Sequence, residues 1–188
     1  MPTRSIVVNH LQRIFKDDNV AIACIYCNYK EQAEQTVSNL VASLLKQMVH
    51  DQYTTSDNVK ALYKRHKDGK TFPDLDKFTT ALTSEIGMYS KAFIIVDALD
   101  ECREDDATRA NLLRVLRSIA GTVNLMVTSR DLVSIAREFQ ETKRLDICAN
   151  DQDVRRYIEG RIARTPRRHL KALQESIVKK IVENARGM

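Results

Sequence analysis

The sequence predicts a three-layer α/β fold: a parallel sheet covered by helices on both faces, followed by a helical extension. Three observations predict it. Short apolar runs at 20–26, 92–97 and 123–128 have the length and continuity of strands buried on both faces. Between them, apolar residues recur at three- and four-residue steps, the period of amphipathic helices. Strands and helices that alternate in this way build a parallel, helix-covered sheet. The alternation stops near residues 149–151, which divides the chain into a core, 1–149, and the start of a helical appendage, 150–188.

Ser5–Phe15 is expected as the first helix, with Ile6, Val7, Leu11 and Ile14 on one stripe. Val20–Tyr26 is a continuous apolar run and reads as a buried strand. Lys30–His50 is expected as one long helix carrying Val37, Leu40, Val41, Leu44, Leu45 and Met48, and Ser56–Lys67 as a shorter one. Phe72-Pro73 interrupts the chain, and Asp74 is a suitable N-cap for a helix to about Met88. The strand Ala92–Asp97 follows. Asp105–Ile119 is amphipathic and Gly121 closes it. Val123–Thr128 is the next strand, Asp131–Phe139 a short helix and Arg144–Cys148 a further strand. Asp151–Arg164 is helical. Thr165-Pro166 opens a last helix, to about Asn184, with an N-cap residue and a proline in the first turn.

Composition narrows the class. With 43% hydrophobic and 29% charged residues the chain has enough apolar material for a core. No run reaches the 18 or more apolar residues of a membrane span, and the N-terminus lacks a signal-peptide pattern, so a cytoplasmic protein without membrane contact is expected. Cys24 and Cys27 form a lone CxxC inside a strand-like run. A zinc site wants a second pair, so free, buried thiols are expected. The net charge of +5 concentrates at the C-terminal end, around Arg155, Arg156, Arg161, Arg164, Arg167, Arg168 and Lys171. Such a cluster suits nucleic acid or a solvated helix face. Glutamates interrupt it and Tyr157 is its one aromatic residue, so nucleic acid is not the expected partner.

The chemistry lies in two stretches. Phe93-Ile-Ile-Val-Asp-Ala-Leu-Asp-Glu101 ends an apolar strand in three acids, Asp97, Asp100 and Glu101. In open parallel sheets ligands bind at this end of the strands. A carboxylate at Asp97 has the placement needed to reach the shell of a Mg²⁺ ion, and Asp100 and Glu101 the placement to orient water. An acidic turn that caps the following helix is the alternative. Asn124-Leu-Met-Val-Thr-Ser-Arg130 ends a second strand in Thr128, Ser129 and Arg130. Parallel strands end on the same edge, so Arg130 can point to where the acids point and bind phosphate through its planar fork.

Together these stretches resemble the NACHT family of signal-transducing NTPases, in particular fungal members with nephrocystin-type modules. The resemblance implies a P-loop NTPase-like sheet that binds ATP or GTP with Mg²⁺. It implies Asp97 as the metal-linked Walker B acid, Asp100 and Glu101 as the extended acidic pair, and Arg130, with Thr128, on the nucleotide. It also implies a switch or scaffold that works through protein partners or self-association. A Walker A loop, GxxxxGK[ST], is not found in these residues. Gly69-Lys70-Thr71 imitates its end, but Lys64 stands at the first glycine position and a polar helix precedes it. By the resemblance, Ser5–Phe15 is the helix that would follow the loop, so the first strand and the loop are expected to be missing and nucleotide binding impaired. Two alternatives stay open: an active NTPase completed by another segment or chain, and a basic helical module for nucleic acid.

Overall fold

The computed structural model describes residues 6–16, 18–50, 55–69, 71–147, 150–165 and 173–185. The chain divides into two compact units, 1–140 and 141–188.

The first unit is built on a parallel sheet of β1 (Val20–Tyr26), β2 (Lys91–Asp97) and β3 (Asn124–Val127), in the order β1-β2-β3. Register runs from Val20 opposite Lys91 to Tyr26 opposite Asp97, and from Phe93 opposite Asn124 to Val96 opposite Val127. The C-terminal ends of all three strands therefore share one edge of the sheet. Alternation along the strands sorts side chains by face. Ala21, Ala23 and Ile25 of β1, with Ala92, Ile94 and Val96 of β2, enter the main core. That core is completed by α2 (Val37–His50), α4 (Leu75–Ile86) and α5 (Thr108–Ile119), through Leu44, Leu82, Leu112 and Leu116, each buried. Val59 and Leu62 of α3 (Asp57–Gly69) and Ile135 of α6 (Val133–Glu138) add to it. Phe93 lies on the other face, where its ring meets Phe15 at the end of α1 (Ile6–Ile14), 5.3 Å between centroids. The second unit pairs α7 (Asp151–Ala163) with α8 (Gln174–Ala185) around Ile158, Ile162, Val178 and Val182.

Several sequence expectations are corrected. The long helix from Lys30 is instead a 3-10 turn, Tyr29–Glu31, and a later helix, α2. Asn28 causes the break: its side chain accepts the Lys30 N–H at 3.1 Å and closes the turn. Thr36 then accepts the Asn39 N–H and starts α2. The helix expected from Asp105 begins at Thr108, because Ala107 adopts φ 60° and Asp106 takes the Thr108 N–H. Ala120 ends that helix ahead of Gly121. The strand expected at Arg144–Cys148 does not form over its described residues. Leu145 and Ile147 are exposed and Arg144 pairs with Asp146, so no neighbouring ladder holds the segment; Cys148 lies outside the described residues. Thr165 does not open the last helix, since its hydroxyl donates back to the Arg161 carbonyl; Pro166 lies outside the described residues and α8 starts at Gln174. Asp74 caps α4 as expected, accepting the Lys77 N–H at 3.0 Å.

Candidate functional site

β2 delivers Asp97 to the sheet edge because Phe93–Val96 is paired with β1 and β3 on its two sides and largely buried. Ala98 then turns the chain with φ 55°, a left-handed conformation that non-glycine residues seldom adopt. Thr128, just past β3, holds that turn at three points. Its carbonyl accepts the Leu99 N–H at 2.9 Å, its hydroxyl oxygen accepts the Ala98 N–H at 3.0 Å, and its hydroxyl donates to Asp97 Oδ1 at 2.5 Å. Leu99–Glu101 follows as a 3-10 turn with Leu99 fully buried beneath it.

Asp100 and Arg130 meet across the two strand ends. The Arg130 backbone N–H donates to Asp100 Oδ1 at 3.0 Å and its Nε to Oδ2 at 2.6 Å. The Asp100 side chain is 4% exposed while that of Arg130 is 79% exposed. Burial is the strongest single influence on Asp100 and pushes its pKa up. The side-chain and backbone bonds from Arg130 together outweigh it, so Asp100 is held below the ordinary carboxylate range. Asp100 in turn raises the Arg130 pKa.

Glu101 reaches the other way, toward β1. Its Oε2 accepts the Tyr29 N–H at 3.2 Å and its carbonyl accepts Gln32 Nε2 at 2.9 Å. The Cys27 N–H donates to the Asp97 carbonyl at 3.0 Å and extends the β1–β2 ladder by one step. The three acids thus serve three neighbours: a hydroxyl on β3's end, an arginine beyond it, and a backbone amide after β1. All the sequence-predicted site residues, Asp97, Asp100, Glu101, Thr128 and Arg130, lie on one edge.

The model of the family described as Nephrocystin 3, N-terminal matches residues 3–130, which include every member of this cluster and end on Arg130. The chain belongs to that family. It is a NACHT-related family. No curated protein and no solved structure matches the chain.

In this nephrocystin 3 N-terminal chain, Asp97 is the carboxylate best placed for a cation. Its Oδ1 is engaged by Thr128, and Oδ2 has no partner among the described residues. Among the described residues no three or more His, Cys, Asp or Glu side chains are grouped to hold a metal. A Mg²⁺ ion shared with phosphates needs only one or two carboxylates, so Asp97 fits that part. The phosphate part does not fit. Gly69 ends α3 instead of following a strand, and no other glycine opens a loop of the required spacing. Hollows beside α2 and α3, lined by Ala42, Leu45 and Val59, and between α3 and α4, lined by Asn58, Arg65 and Lys77, contain no residue of the cluster.

Sequence reasoning missed Tyr29 and Gln32, which hold Glu101: Gln32 fell in the expected helix Lys30–His50 and Tyr29 just ahead of it. The signal was present in Asn28, Gln35 and Thr36. Asn and Thr favour helix starts over helix interiors, so this polar stretch ahead of Val37 marks a boundary.

Proposed function

We propose that this chain is the metal- and sensor-bearing part of a NACHT-type nucleotide-dependent signalling module, of the nephrocystin-like kind found in fungal NTPases, and that these 188 residues alone bind ATP or GTP poorly. The observation that carries the reading is the joining of the β2 and β3 ends: Thr128 fixes Asp97, and Asp100 fixes Arg130. On this reading Asp97 would contribute to the Mg²⁺ shell, and the ion would offset phosphate charge. Thr128 orients Asp97 by accepting from Ala98 and donating to Oδ1. Glu101 holds or polarises water at the mouth of the site. Arg130 keeps its terminal nitrogens for a phosphate oxygen while Nε stays on Asp100. Protein partners or self-association would read out the state of the module.

Weak binding follows from the missing phosphate cradle. Removing a single preorganised donor from an active site can cost roughly 3–4 kcal/mol. Loss of the whole loop with its lysine lowers affinity well beyond tenfold.

A second reading is favoured by β3, which stands at the edge of the sheet. A segment that pairs with β3 and carries GxxxxGK[ST], from another chain or from further sequence of this protein, would complete a working NTPase. Supplying such a segment as an N-terminal fusion tests both readings. The expected result is Mg²⁺-dependent ATP or GTP binding that falls at least tenfold in Asp97→Asn and in Arg130→Ala. Binding that neither substitution weakens would remove the assigned roles.

A further inference from the structure

Lys60, Tyr63, Lys64 and Lys67 recur at three- and four-residue steps along α3, which places them on one stripe of the helix. All four are exposed, while Val59 and Leu62 of the same helix pack on the main core. Lys67 Nζ lies 5.5 Å from the centre of the Tyr63 ring, so the face of this ring is open to a cation. Lys60 shares the exposed Asp57 at 3.3 Å, and Lys64 has no ion-pair partner among the described residues.

The stretch that joins α3 to α4 presents a second ring. Before it, the Thr71 N–H donates to the His66 carbonyl at 3.2 Å, and the Thr71 hydroxyl meets His66 Nδ1 at 2.8 Å. After it, Asp74 caps α4. Pro73 confines Phe72 to extended backbone. Phe72 is thus held just past the end of α3, with 95% of its surface exposed. Over 57–72 the sequence holds five Lys and Arg against two Asp. Cations and aromatic rings therefore alternate here, as they do not in the C-terminal basic cluster, where Tyr157 stands alone.

We propose that the α3 stripe and Phe72 form a binding surface for single-stranded nucleic acid. Bases stack on the Tyr63 and Phe72 rings, while Lys60, Lys64 and Lys67 meet the phosphates. A single strand is the form whose base faces are free to stack; a duplex hides them. An anionic membrane suits the surface less well, because α3 turns its aliphatic residues inward and only Tyr63 and Phe72 offer apolar surface to a bilayer. None of these residues belongs to the Asp97–Arg130 cluster, so the inference stands apart from the nucleotide reading.

Fluorescence anisotropy with labelled 15-mers of oligouridine and oligothymidine, titrated with the 188-residue chain at low salt, tests it. The expected result is saturable binding whose logarithm falls with log salt at a slope of about −2, for three phosphates at roughly 0.7 each. Tyr63→Ala and Phe72→Ala should each weaken binding roughly fivefold or more, and Tyr63→Phe should bind as the parent does. Lys64→Glu with Lys67→Glu should abolish binding, whereas Arg155→Ser with Arg156→Ser should leave it unchanged. All the substituted side chains are exposed, so thermal melting followed by circular dichroism should overlay for every variant. Absence of saturable binding to either oligonucleotide would overturn the proposal. So would binding that both ring variants retain in full, loss of binding on substitution of Arg155 and Arg156, or association with phosphatidylserine vesicles in place of the oligonucleotides.

Discussion

Thr128 is the residue on which the strand-end arrangement turns. Its hydroxyl satisfies the Ala98 N–H and Asp97 Oδ1 together, and its carbonyl satisfies Leu99. Thr128→Val keeps the shape and removes both hydroxyl bonds, leaving a part-buried amide without its acceptor. The expected loss is roughly 1–3 kcal/mol in chemical denaturation, with Thr128→Ser retaining most of the stability. Asp100 makes a prediction in pH. Its folded pKa is depressed, so its pairing with Arg130 stabilises fully above the unfolded carboxyl value, about 3.9, and is lost as pH falls through the lower folded value. In Arg130→Met the side-chain bond and the positive charge are lost while the backbone N–H bond stays, so burial is opposed less and the Asp100 pKa rises. Acid unfolding followed by circular dichroism should therefore begin at higher pH than in the parent. An unchanged acid midpoint would mean the pair contributes nothing to the fold. Asp97, Asp100 and Glu101 were legible as a group because an apolar strand runs straight into them. That Asp100 would seal against Arg130 was not legible, since the contact spans thirty residues and depends on where β3 stops.

Edge management explains the elements around β1. β1 is an outer strand, and open edges invite unwanted pairing. Gln47 of α2 covers it like a short strand: Oε1 accepts the Cys24 N–H at 2.9 Å and Nε2 donates to the Cys24 carbonyl at 2.9 Å. Gln35 does the same one step on, with Asn28 N–H and the Tyr26 carbonyl. Gln47→Leu should cost roughly 1–3 kcal/mol, since part-buried backbone groups lose their partners. Equilibrium denaturation of the variant checks this. Helix interiors were easy to read because Leu40, Leu44 and Met48 repeat at helical spacing. Helix starts were harder. At Lys30 and Asp105 the local side chains bond to backbone amides and build turns where a pattern of charges alone suggests continued helix.

Across the whole molecule, the parallel order of the sheet was legible from alternating strands and helices, because few topologies satisfy that pattern. The segment Arg144–Ile147 was not, because alternation of Leu145 and Ile147 with charged residues describes a strand only where a neighbour exists to pair with it. The two units each bring their own core, within 21–139 and within 154–182. We propose that residues 1–140 fold alone, so a chain cut after Gln140 should melt cooperatively in calorimetry. In that fragment Leu82→Ala should cost about 2–5 kcal/mol, as expected for a fully buried leucine. The central claim is that one side of a nucleotide site is assembled at this sheet edge while the phosphate side is not supplied by these residues. Isothermal titration of Mg²⁺-ATP, and of Mg²⁺-GTP, into the 188-residue chain tests it most directly. The account predicts no saturable heat at micromolar nucleotide. Saturable binding with a micromolar Kd would contradict it.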